Sequence, residues 1–252
     1  MNKFFIYTTF QTKLLLRNYK STIIGFLMPV LMFIIFSNVF SDFDIAGSDN
    51  TLVDYLIPAF IPIIIINAVV VIYGQYYSLY EEQGNLVKYR LLGLNRFSIS
   101  FGLFLSTLIF QLFAILILIG VAVLTTDVPI AYDNLHNVII VLAVINLYQY
   151  SIAVLIFSFI KKSTTYQSIA LIAFNYQMFL GGLTFPPEIF PDVLKTMVEY
   201  LNPVYYALLA MRGVWTENEN VFDYYQELGI VMIVTVVFLA VGTFVSNRKK
   251  VA

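Results

Sequence analysis

Residues 97–124, FSISFGLFLSTLIFQLFAILILIGVAVL, contain no aspartate, glutamate, lysine or arginine. As an α-helix rising about 1.5 Å per residue, such a stretch outreaches the roughly 30 Å hydrocarbon core of a bilayer. It has no polar face for water, which the surface helix of a soluble domain requires. Five more apolar segments flank it, at 21–40, 55–80, 138–160, 168–183 and 228–245, the fifth in chain order ending at Gly181-Gly182. All 14 basic and 15 acidic residues lie outside the six segments. That separation is expected of spans, because an unpaired charge at bilayer depth costs several kcal/mol.

The composition agrees. Apolar residues make up 60% of the 252 and charged residues 12%, against roughly 45–50% and about 25% in soluble domains. A disordered chain needs the opposite balance. The absence of cysteine excludes a disulfide framework, a thiolate metal site and a cysteine nucleophile, and a single histidine excludes a multi-histidine site. A net charge of −1 provides no basic field for nucleic acid. The sequence therefore predicts an all-α integral membrane protein with six transmembrane helices.

The basic residues orient it. Lys3, Lys13, Arg17 and Lys20 precede the first span, and Asp42, Asp44, Asp49 and Asp54 follow it. Lys88, Arg90 and Arg96 lie between spans two and three, and Asp127 and Asp133 between three and four. Lys161 and Lys162 come next, and Arg248, Lys249 and Lys250 close the chain, so only Lys195 and Arg212 of the 14 bases break the alternation. Both termini are expected in the cytoplasm, with no cleavable signal peptide. Residues 1–20 are expected to form an interfacial helix, since aromatic and basic residues together suit the headgroup zone. Tyr7, Phe10 and Leu14 share one of its faces.

Two connections carry patterns of their own. Segment 81–96 alternates charge with Leu86, Val87, Leu91 and Leu92 between Gly84 and Gly93. It reads as a short helix with a turn at each end, serving either as a charged hairpin or as a docking element for a soluble partner. The connection between spans five and six is too long for a plain linker. Val193, Leu194, Met197, Val198 and Leu201 form an apolar stripe with Asp192, Lys195, Thr196 and Glu199 opposite. Asn202-Pro203 interrupts it, Asn202 placed to cap and Pro203 to begin a second helical piece. Two broken helices over 184–215, re-entrant or interfacial, are expected on the outer side.

Gly181, Gly182, Phe185, Pro186, Pro191, Asn202, Pro203, Arg212 and Gly213, between a fifth and a sixth span, resemble the signature of ABC-2 type transporter permeases. Glu81, Glu82, Gly84, Leu86, Leu91 and Leu92 resemble that family's coupling helix after the second span, although Asn85 and Leu94-Asn95 stand where the family often has Thr and Pro. The resemblance implies the membrane subunit of a bacterial ABC exporter in the plasma membrane. Its implied partners are a nucleotide-binding ATPase subunit, a second permease copy or paralogue, and membrane lipid. ATP and Mg would be bound by the ATPase subunit, with no cofactor or metal on this chain.

The residues themselves point the same way. No Gly-x-x-x-x-Gly-Lys-Ser/Thr run exists, so an ATP-driven mechanism needs a second polypeptide. An uncoupled secondary carrier or channel would need an ionisable group or broken-helix ion site within the spans. An intramembrane enzyme would need a catalytic group such as the outer carboxylates Glu188, Asp192, Glu199, Glu217, Glu219 and Asp223. Polar residues inside the spans are Asn67, Gln75, Asn146, Gln149, Asn175 and Gln177. With Tyr76, they either tie helices together or line a substrate path. Tyr73, Tyr76, Tyr77 and Tyr80 read as an aromatic belt or a gate for lipid-like cargo, Trp215 as a marker of the outer interface, and Arg212 as snorkelling or pairing with Glu188, Glu199 or Glu217. The aromatic and aliphatic spans favour a hydrophobic or amphipathic cargo, such as a peptide or drug, over a glycolipid or polysaccharide precursor.

Overall fold

A computed structural model describes residues 3–39, 52–126, 131–185, 187 and 190–248. These form α1 (Lys3–Arg17), α2 (Tyr19–Val39), α3 (Leu52–Ile66), a π-helical segment (Asn67–Tyr73), α4 (Gly74–Glu82), α5 (Asn85–Leu91), α6 (Arg96–Thr125), α7 (Leu135–Phe159), α8 (Ser163–Leu180), α9 (Asp192–Leu201), α10 (Val204–Thr216), a 3-10 turn (Val221–Tyr224) and α11 (Tyr225–Arg248). No strand occurs among the described residues.

The stretch α3–π–α4 is the axis of the bundle, packed by α2, α6, α7, α8 and α10. From Tyr55 to Ile66 its side chains are almost uniformly buried, which is why its sequence is apolar all round rather than on one stripe. Pro58 and Pro62 are accommodated inside α3. The π segment widens the helix midway and frees backbone carbonyls from their usual partners. Tyr166 of α8 donates its hydroxyl to one of them, the Val70 carbonyl, at 2.6 Å. The tyrosine reaches it across Gly74, where a Cβ would lie 1.7 Å from the Tyr166 oxygen. Nothing in the hydropathy pattern announces the π segment.

Four helical stretches are long and apolar enough to cross a membrane: Tyr55–Glu82, Arg96–Thr125, Leu135–Phe159 and Val221–Ser246, with Leu27–Val39 a shorter apolar piece. α6 and α11 leave Leu112, Phe113, Leu116, Ile233 and Val236 more than half exposed, as helices solvated by lipid tails do. The segment expected as the fifth span is helical as α8, which begins before 168 and stops at Leu180, where Gly181-Gly182 turns the chain, and it is not among these four.

Other expectations need correction. Tyr73 and Tyr77 are fully buried rather than part of a belt, Tyr77 stacked on Phe157 with centroids 4.1 Å apart. Trp215 is 6% exposed, packed inside rather than displayed at an interface. The inward face of α1 is Tyr7, Gln11 and Leu15, leaving Phe10 exposed. The α9 stripe needs no such correction: Val198 packs inward while Val193, Leu194, Met197 and Leu201 are exposed, an arrangement that fits either the re-entrant or the interfacial reading.

Candidate functional site

The end of the bundle carrying α5 is built around two turns. Gly84, at φ 70°, takes the left-handed conformation that lets the chain leave α4 and start α5. Gly93, at φ 86°, ends it, and the Asn95 side chain then caps α6 by accepting from the Ser98 N–H at 2.7 Å. Between the turns Leu86 is buried, whereas Val87, Leu91 and Leu92 are 57%, 83% and 66% exposed. One anchored leucine and the exposed pair Val87 and Leu91, spaced i, i+4, make a short helix with a free apolar face, while Leu92 lies just past its end.

Its base is tied down. Glu81 forms an ion pair with Arg96 at 2.7 Å. The same guanidinium donates to the Tyr77 hydroxyl at 3.0 Å and the Ser246 carbonyl at 3.3 Å, joining α4, α6 and α11. Glu82 accepts from the Ser163 N–H at 2.9 Å and from its hydroxyl at 2.5 Å, capping α8 from another helix. Both glutamates are thus engaged within the chain, Glu81 half-buried and Glu82 exposed. α1 braces the other side. Tyr7 meets Tyr89 edge-to-face at 4.9 Å. Gln11, with no exposed surface, donates to the Tyr89 hydroxyl at 3.3 Å and accepts from the Tyr80 hydroxyl at 2.9 Å. Sequence reading missed Gln11; its only signal was the i, i+4 spacing with Tyr7 and Leu15.

The polar residues of the spans divide into two groups. Gln149 of α7 donates to Gln177 of α8 at 2.8 Å in a buried amide pair. Each keeps a second amide atom, Gln149 Oε1 and Gln177 Nε2, without a hydrogen-bond partner among the described residues. Asn67 donates to the Gly25 carbonyl at 2.6 Å, tying the π segment to α2. Asn146 donates to the Leu142 carbonyl of its own helix at 2.9 Å, so it does not join Gln149 in a shared network. The second group is surface. Gln75 donates to Gln167 at 3.0 Å and Asn18 to the Tyr76 hydroxyl at 3.1 Å, both in exposed settings. Thr164, Ser168 and Asn175 continue this polar surface along an exposed face of α8.

At the opposite end the glycine, proline and asparagine motif forms one knot. Gly182, at φ 73°, turns the chain out of α8. The Tyr55 hydroxyl of α3 donates to the Gly182 carbonyl and, at 3.5 Å, to that of Phe185. Arg212 lies with its guanidinium 4.6 Å from the Tyr55 ring centre, so a cation–π contact from α10 holds the same tyrosine. Pro191 precedes α9, and Asn202-Pro203 starts α10 as expected, the Asn202 oxygen accepting from the Val204 N–H at 3.3 Å. Its amide donates to the Tyr176 carbonyl at 3.4 Å, and Tyr176 returns a bond to the Leu201 carbonyl at 2.7 Å. A Cβ at Gly213 would fall 1.8 Å from the Tyr224 oxygen, which explains the glycine. Tyr55, Tyr176 and Tyr224 were not singled out from sequence, because tyrosines among so many aromatics carry no distinguishing spacing. Pro186 and Glu188 of the sequence expectation lie outside the described residues.

Among the described residues no group of three or more histidines, cysteines, aspartates and glutamates could hold a metal ion. No curated protein matches the chain. The family described as ABC-2 type transporter matches residues 2–215, which takes in both the α5 segment and the glycine–proline knot. The chain therefore belongs to the ABC-2 type transporter family and is a multi-pass membrane protein, a transmembrane permease of an ABC transporter.

Proposed function

We propose that this permease is the passive half of an ATP-driven exporter, with α5 as the surface through which a separate nucleotide-binding ATPase moves it. The observation that carries the reading is the division of labour around α5. Val87 and Leu91 stand free on a helix whose base is locked to α6, α8 and α11 through Glu81, Glu82, Arg96 and Ser163. A push on that apolar face is transmitted to three long helices and, through α4, to the buried π segment. ATP and Mg belong to the partner in this account.

The spans are α2, α3–π–α4, α6, α7, α8 and α11. α8, at 18 residues, reaches about 27 Å at roughly 1.5 Å per residue, enough for a thin core. Both termini and α5 lie in the cytoplasm of a bacterial cell, with α1 at the inner interface. The exposed face of α8 mixes Gln167, Ser168 and Asn175 with Leu171, Ile172 and Phe179, beside the half-buried Gln75 and Tyr76 of α4, the amphipathic surface of a cleft wall. It faces a second permease copy or paralogue across a cleft that alternates between inward- and outward-open. Gln149 and Gln177 tie α7 to α8 behind that face, while their unpaired amide atoms offer contacts when the helices separate. The aromatic and aliphatic surroundings suit a hydrophobic or amphipathic peptide or drug-like cargo.

Val87→Asp with Leu91→Asp tests this directly. The double variant should fold and insert normally, because both side chains are exposed, yet lose its associated ATPase and its cargo export. Retention of export would overturn the proposal.

A further inference from the structure

Where α1 crosses the segment that follows α5 there is a groove of about 350 Å3. Ile6, Phe10, Tyr89 and Leu92 form its walls, Tyr7 and Leu94 its buried floor, and Lys3 its charged lining. The Lys3 amine lies over the Gly93 backbone, 2.7 Å from where a Cβ there would sit. It has no ion-pair or hydrogen-bond partner among the described residues. The acids of the neighbouring connection do not compete for it, since Glu81 is held by Arg96 and Glu82 by Ser163. Helix α1 contains Lys3, Lys13 and Arg17 and no acid, and α5 adds Lys88 and Arg90.

The groove opens on a surface of mixed character. Phe5, Ile6, Phe10 and Leu16 are 64%, 47%, 47% and 55% exposed on the same helix that carries the cations. A helix of that pattern lies at headgroup depth, so an apolar slot lined by an unpaired ammonium meets a phosphodiester above an acyl chain. We propose that the groove binds one anionic phospholipid of the inner leaflet, its phosphate on Lys3 and its upper acyl chain against Ile6, Phe10 and Leu92. The proposal rests on the orientation given above. Because Tyr89 and Leu92 belong to the segment that presents Leu91, an occupied groove props the docking helix from behind. Association of the ATPase then depends on the lipid composition of the inner leaflet.

The test uses the full chain in nanodiscs containing either phosphatidylglycerol or phosphatidylcholine with a diazirine near the carbonyl end of one acyl chain. Irradiation followed by peptide mass spectrometry should place the label within residues 4–10 and 92–94. Labelling from phosphatidylglycerol should exceed that from phosphatidylcholine by about five-fold, the preference one surface lysine gives an anionic lipid. Lys3→Gln should remove the preference, and Ile6→Trp, which fills the slot from an exposed position, should remove the label itself. Equal labelling from the two lipids, or a label that survives Ile6→Trp, overturns the site. Lys13→Cys, in a chain with no native cysteine, reports orientation separately. Reaction with an impermeant maleimide in intact cells would refute the inner-leaflet placement while leaving the groove result to stand or fall on the crosslink.

Discussion

The approach of α8 to the second span makes a quantitative prediction about Gly74. A Cβ there would lie 1.7 Å from the Tyr166 hydroxyl oxygen and 2.4 Å from its ring carbon. Tyr166 has no exposed surface and cannot swing aside. Gly74→Ala must therefore push α8 outward, an overpacking penalty of about 1–3 kcal/mol. It also breaks the 2.6 Å bond to the Val70 carbonyl, and a buried acceptor left without its donor costs a further 1–3 kcal/mol or so. We expect about 3–4 kcal/mol of destabilisation in total. Tyr166→Ala alone should cost about 3–5 kcal/mol through the cavity it leaves. The two changes must not add, because the alanine methyl then occupies space the ring has vacated. The double variant should be no less stable than Tyr166→Ala, which is a coupling energy of about 3 kcal/mol. Reversible unfolding of the four proteins in mixed micelles measures the cycle. Additivity within about 0.5 kcal/mol would show that α8 does not press on Gly74 and would refute the packing described for the π segment.

Other expectations follow from the same contacts. Arg96→Lys keeps the charge but cannot reach Glu81, Tyr77 and Ser246 together, so it should lower stability by about 1–3 kcal/mol and reduce coupled transport more than Glu81→Gln does; equal effects would mean the ion pair alone matters. Gln149→Leu should cost about 0.6–2 kcal/mol in a micelle unfolding assay, and an accompanying shift in cargo preference would assign the amide to the path as well as to the tie. Arg212→Met removes the guanidinium from the Tyr55 ring and should cost about 0.5–2 kcal/mol, seen as earlier proteolysis at the Gly181-Gly182 turn. A variant with unchanged proteolysis would place the stability of that turn elsewhere.

What the sequence makes legible is decided by how each interaction is encoded. The long helices are written in runs of uncharged residues, so α6, α7 and α11 start and stop within a few residues of expectation. The α5 turns and the Asn202-Pro203 break are written in glycine, proline and asparagine, whose backbone preferences are local, and they too are where the sequence predicts them. The contacts that fix the site are not local. Gln11 to Tyr89 spans 78 positions, Tyr55 to Gly182 spans 127, and Arg96 to Ser246 spans 150. Hydropathy also cannot separate tyrosines facing the core from tyrosines at an interface, because both sit near helix ends among aliphatic neighbours. The belt reading of Tyr73 and Tyr77 fails for that reason; their burial and their bonds to Ser100 and Arg96 place them in the core. The α9 stripe has the period of a core-facing helix, yet periodicity shows that a face is apolar and not what covers it.

The central claim is that this chain moves cargo only when driven through α5 by a separate ATPase. Purified permease in sealed vesicles, assayed with ATP in the presence and absence of its nucleotide-binding subunit, tests it most directly. The account predicts no nucleotide cleavage and no ATP-dependent accumulation from the permease alone, and accumulation once the subunit is added. Cleavage or pumping by the unaccompanied chain would contradict it.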